Sequence, residues 1–132
     1  EKYADNIFYP MLNLPVQSFN KKGLPEIFKK MIDKYIESHK LSLSAHEEIM
    51  AMVHSDKDVA YYFYKREMAL TYKLTEVLKQ NGFNSEDLSE KVHIIIGIID
   101  NLSHEIVYHK HEGLDYDKMK TLVINSIVSL LC

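Results

Sequence analysis

The stretch DLSEKVHIIIGIIDNLSHEIVYH, residues 87–109, decides how the rest of this sequence reads. It is long enough for about six helical turns, and it is apolar over more of its circumference than a surface helix needs. At about 100° per residue, Leu88, Val92, Ile95, Ile99, Leu102 and Ile106 fall within an arc of about 80°. Ile96, Ser103 and Val107 widen that arc on one side, and Ile94 and Ile98 widen it on the other. The remaining face carries a second row, His93, Gly97, Asp100 and His104, at helical spacing. A helix with apolar surface on two sides has two things to bury against: its own core, and either a partner helix or a ligand cavity.

The surrounding chain is built to supply helices. Its 132 residues fit one domain, 1–132, large enough to bury about two-thirds of its unfolded surface. All three prolines, Pro10, Pro15 and Pro25, lie near the start. Everything after Pro25 is therefore free of the strongest helix breaker, which favours an all-α body. Apolar residues make up 46% and charged ones 27%, ordinary proportions for a globular chain. Nine Tyr and six Met point to irregular, partly polar interior surfaces.

Charge and cysteine usage narrow the function. A net charge of −3 with mixed signs argues against these residues gripping nucleic acid, and no basic run or RNA-binding type of aromatic–basic interleaving is visible. The single cysteine, Cys132, rules out an internal disulfide framework and fits a reducing, cytoplasmic setting. No apolar run is long enough to span a membrane, and no signal peptide is evident. The chain opens at Glu1 without an initiator Met, so it reads as a piece of a longer protein.

Taken in order, residues 1–22 read as the tail of a lead-in helix followed by a loop that ends at Gly23. Pro25 suits the first turn of a helix over 25–39. Its Ile27, Phe28, Met31, Ile32, Tyr35 and Ile36 form an apolar stripe, while Lys29, Lys30, Asp33, Lys34 and Glu37 face water. Ser44 and Glu47 form a capping box that opens a short helix through Val53. Ser55-Asp56-Lys57-Asp58 opens a long helix to about Gln80, closed by Asn81-Gly82. Ser85 and its acidic neighbours start the helix around 87–109, and Asp115 caps a last one with a Met119, Val123, Ile127, Leu130 seam. The expected architecture is an all-α antiparallel bundle of five or six helices.

Two groups of residues stand out chemically. In the long helix, Glu67 falls among Val59, Phe63, Leu70, Leu74 and Val77, in the middle of the apolar stripe. A carboxylate there is costly unless paired. Either Arg66, a tyrosine hydroxyl or a helix end satisfies it, or it marks a cavity wall. In the second case the row Tyr61, Tyr64, Met68 and Tyr72 would receive an apolar, aromatic or cationic small molecule. The other group is the His93–Asp100–His104 row. His104-Glu105 misses the HExxH zinc spacing by one residue. Glu90 and His93 match one Glu-x-x-His motif of a di-iron bundle, but no second copy exists. A solvated or subunit-facing stripe is the better reading than a metal site, with Gly97 letting another helix approach. No nucleophile–base constellation or phosphate loop is visible, so the chain reads as a non-enzyme without a cofactor.

The order of elements, carried by YYFYKREMALTYKLTEVLKQNGF (61–83) and VHIIIGIIDNLSHEIVYHKHEGLDYDKMKTLVINSIVSLL (92–131), resembles the C-terminal regulatory domain of TetR-type transcriptional repressors. The resemblance spans roughly residues 20–131 and is one of lengths and faces, with no diagnostic motif. It implies a DNA-binding helix-turn-helix half preceding Glu1, so that operator DNA is reached only through that missing part. It also implies a homodimer built on the last two helices, here through His93, Ile96, Gly97, Asp100, His104 and Val107 together with Met119, Val123, Ile127 and Leu130. A small-molecule effector would lie among the middle helices, against Phe28, Met31, Tyr35, Met50, Tyr61, Tyr64, Glu67, Met68 and Tyr72. Its binding would shift the population of head spacings. Two rivals remain: a metal centre built on Glu90, His93, Asp100 and His104 in a free-standing bundle, and a helical interaction module with no ligand.

Overall fold

The computed structural model describes residues 20–38 and 43–132. Among them are five helices and no strand: α1 Leu24–Ser38, α2 Leu43–Ser55, α3 Lys57–Gln80, α4 Leu88–Tyr108 and α5 Tyr116–Leu131. The expected all-α bundle is what forms; the lead-in helix read over 1–22 lies, up to residue 19, outside the described residues.

The helix ends follow from local chemistry. The Asp56 side chain accepts hydrogen bonds from the Asp58 and Val59 amides at 2.9 and 3.4 Å, capping α3, and Asp115 does the same for Asp117 and Lys118 at α5. Each satisfies N–H groups that the helix itself leaves without partners. At the other end of α3 the Phe83 amide donates to the Leu78 carbonyl, and Gly82 to Lys79, both at 3.1 Å. This paired closure needs a left-handed residue, and Gly82 supplies it at φ +92°. Phe83 and Leu78 are both buried, so the apolar contact that accompanies such a closure pins the end of α3 to the core. The capping box expected at Ser44 does not start α2. That helix begins at Leu43, which places Ser44 inside the first turn.

The helix around 87–109 is the axis of the bundle. α4 packs against α1, α3 and α5, and Leu88, Val92, Ile95, Ile96, Ile99, Leu102 and Ser103 are buried on it. Burying each Leu or Ile contributes about 1.5–3 kcal/mol, and this arc together with the apolar face of α1 makes up most of the core. α1 meets it with Leu24, Ile27, Phe28, Met31, Ile32 and Tyr35, and α5 contributes Ile127. No helix among the described residues is long and apolar enough to cross a membrane.

α3 is divided along its length. From Leu70 onward it carries Leu70, Thr71, Leu74, Thr75, Val77 and Leu78 into the core. Between Lys57 and Ala69 no residue is buried. α2, which packs on α3, buries only His46.

Candidate functional site

Periodicity alone explains how the polar residues of α4 come to face other helices. Asp100 and His104 sit one turn apart at the edge of the buried arc. On Asp100, Oδ1 accepts a short hydrogen bond from the Tyr35 hydroxyl of α1 and lies 3.5 Å from His104 Nε2. His46 of α2 reaches the same junction. Its ring meets His104 edge-on at 4.8 Å and stacks on Tyr108 at 4.3 Å and 14°. Tyr35, His46, Asp100, His104 and Tyr108 thus form one polar cluster joining α1, α2 and α4. Burial raises the Tyr108 phenol above its ordinary pKa, because a phenolate would lose hydration there.

Around this cluster several apolar side chains are only partly covered. Ile49, Met50 and Val53 of α2, with Val59, Phe63 and Met68 of α3, remain half-buried although all are apolar. Two polar atoms of α4, Ser103 Oγ and Glu105 Oε2, are buried with no hydrogen-bond partner. Such atoms are rare in a filled interior. Half-covered apolar side chains beside a partly buried polar cluster are the ingredients of a small-molecule site.

Glu67 has a partner that the spacing did not indicate. It lies half-exposed at the edge of α3, where its Oε1 is 3.3 Å from His93 Nε2; His93 Nδ1 is 3.1 Å from the Thr71 hydroxyl. The expected partner, Arg66, instead lies over the Tyr62 ring, with Nε 3.3 Å from its hydroxyl.

The residues expected to line an effector pocket fall into three places. Phe28, Met31 and Tyr35 are in the main core. Met50 and Met68 border the half-packed region, and Glu67 stands at its α4 edge. Tyr61, Tyr64 and Tyr72 are 57%, 59% and 62% exposed, pointing outward with Tyr61 and Tyr64 stacked at 6.1 Å. They turn outward because their row lies beside the stripe that packs. Sequence reasoning missed His46 and Tyr108. His46 was findable: with Ile49, Met50 and Val53 it completes an i, i+3, i+4, i+7 row.

The expected dimer residues also divide. Ile96 and Ile127 are 3% and 0% exposed within the single chain, so both belong to the core and cannot meet a second subunit. Met119, Val123 and Leu130 pack partly on that core, and Val107 is half-buried. His93, Asp100 and His104 make the intrachain contacts above. Gly97 is exposed, with no atom within 4 Å of where a Cβ would stand. Ile94 of α4 and Leu122 of α5 are 53% and 64% exposed.

Two surface depressions lie on the α5 side of the molecule. One, of about 450 Å³, lies over residues 110–117 of the α4–α5 connection. The other is lined by Asp117, Lys118, Thr121 and Leu122 of α5. Glu90, His93, Asp100 and His104 do not converge, and no group of three or more His, Cys, Asp or Glu placed to hold a metal ion occurs among the described residues. Comparison with protein-family models found no match, and neither curated proteins nor solved structures gave one.

Proposed function

We propose that this chain is the effector-binding and dimerising half of a TetR-type transcriptional repressor. The observation that carries the reading is the uneven packing of the bundle. α2 and the first half of α3 leave apolar side chains half-covered around the Tyr35–His46–Asp100–His104–Tyr108 cluster, while α1, α4 and the second half of α3 supply nearly all of the buried apolar residues described. A small apolar or aromatic effector completes the core of that half. Operator DNA is met by a helix-turn-helix unit outside these residues. The effector acts by favouring one arrangement of two such units, and a coupling of about 1–3 kcal/mol between sites is typical of such proteins.

Dimerisation uses the outer surface of α4 and α5. Ile94 and Leu122 leave apolar area uncovered, and Gly97 allows close approach. Equilibrium sedimentation tests the assembly directly. A dimer is expected at tens of micromolar, and a monomer there overturns the reading.

A further inference from the structure

We infer that His93, when protonated, closes a clasp between α3 and α4, and that the clasp opens when the imidazole becomes neutral. The inference concerns how the bundle is held together and does not rest on the effector-binding reading.

A count of protons carries it. The Thr71 hydroxyl lies 3.0 Å from the Glu67 carbonyl oxygen and 3.1 Å from His93 Nδ1. It has one proton to donate, and a carbonyl can only accept. Both bonds form together only if Thr71 donates to the carbonyl while Nδ1–H donates to the Thr71 oxygen. On the other side of the ring, Nε2 stands 3.3 Å from the Glu67 carboxylate, which accepts and does not donate once ionised. That contact calls for a proton on Nε2 as well. A ring with both nitrogens protonated is the imidazolium. Each neutral tautomer gives up one side. With Nε2 bare, its lone pair faces the carboxylate; with Nδ1 bare, two acceptors compete for the single Thr71 proton. Histidine changes charge between about pH 5 and pH 8, so the clasp closes as pH falls through that range and opens as it rises.

The clasp sits where α3 changes character. Glu67 belongs to the half of α3 in which no residue is buried, and Thr71 follows Leu70, the first residue of that helix to enter the core. The order hydroxyl, imidazole, carboxylate is that of a nucleophilic relay, but Thr71 is 1% exposed, out of reach of a substrate. Among the described residues His93 makes no other ion pair, hydrogen bond or ring contact. On its own helix Glu90 lies one turn before it, Lys91 is held by Asp87, and Asp100, two turns on, faces Tyr35 and His104. α1 and α5, which also pack on α4, pair Asp33 with Lys120.

A double-mutant cycle of Glu67→Gln and His93→Gln tests this, read by urea unfolding at about pH 5.5 and again at about pH 8. The cycle isolates the pair, so the titration of every other histidine cancels. Both side chains are half-exposed, and neither substitution opens the core. At the lower pH a coupling of about two- to fivefold in the unfolding equilibrium constant is expected, the size of an exposed ion pair. At the higher pH none is expected. Amide exchange gives a second reading. Corrected for the intrinsic rate, the amides of residues 57–69 should be better protected at the lower pH, and the difference should vanish in His93→Gln. A coupling that is equal at the two pH values, greater at the higher one, or absent at both overturns the clasp. Protection of 57–69 that does not respond to pH overturns its hold on that half of α3.

Discussion

Replacing Leu122 by glutamate separates a dimer interface from an ordinary surface. In the single chain Leu122 is 64% exposed. Full burial of a leucine contributes about 1.5–3 kcal/mol, so covering the exposed part contributes about 1–2 kcal/mol. A two-fold axis repeats the contact, giving about 2–4 kcal/mol per dimer. Loss of that amount raises the dimer dissociation constant by about 30-fold to 1,000-fold. The introduced carboxylate adds a desolvation cost in the same direction. Equilibrium sedimentation over a dilution series should therefore find Leu122→Glu monomeric where the unaltered chain is dimeric. Within one chain the side chain is mostly solvated, so thermal unfolding at a dilution where both are monomers should differ by no more than about 0.5 kcal/mol. A Leu122→Glu protein that dimerises as tightly as the original refutes the assignment of this surface. So does one whose monomer has lost its fold, because the exposure on which the magnitude rests would then be wrong.

Two further outcomes follow from features of α3 and α4. Gly82 sits at φ +92° with nothing within 4 Å of where a Cβ would stand, so Gly82→Ala meets no clash but forces an L residue into left-handed backbone. Urea denaturation should show a loss of about 1 kcal/mol; an unchanged midpoint would show that the closure of α3 tolerates another geometry. The Tyr108 phenol has a raised pKa in the folded chain through burial. Above the unfolded tyrosine value, near pH 10, the unfolded chain releases this proton before the folded one does, so stability falls as pH rises further. That alkaline slope should be shallower in Tyr108→Phe, and an identical slope in both proteins would remove Tyr108 as its source.

How much of this was legible in the sequence depends on the scale of the feature. Asp56, Asp115 and Asn81-Gly82 act within a few residues of themselves, and their side-chain chemistry alone ends a helix. The apolar arc of α4 is equally legible, because a 3.6-residue period identifies the face that must be buried. Its neighbours on the wheel are harder. Ile96 and Ile98 differ little in composition, yet only Ile96 is fully buried, since the packed neighbours of α4 cover one flank more completely than the other. The tyrosines of α3 fail for a related reason: periodicity places Tyr61, Tyr64 and Tyr72 together on one face but does not say whether that face meets a helix or water. Glu67 found its partner on another helix, His93, across a pairing that only the α3–α4 packing sets. Likewise the cluster at Asp100 joins residues from α1, α2 and α4, and no spacing within one helix encodes it.

The divided helix α3 has a mechanical consequence. Its last turns are clamped by the Gly82 closure and by Leu70, Leu74 and Leu78 in the core, while no residue between Lys57 and Ala69 is buried. Such a helix is a cantilever with its support near Leu70. Tyr61 stands about 14 Å beyond that support along the axis, so a tilt of about 5° displaces it by about 1.2 Å. A molecule wedged between α2 and α4 would therefore move the far end of α3 by a bond length without disturbing a core side chain. Small strain at one end becomes displacement at the other, and the stiffness of the intervening helix sets the gain.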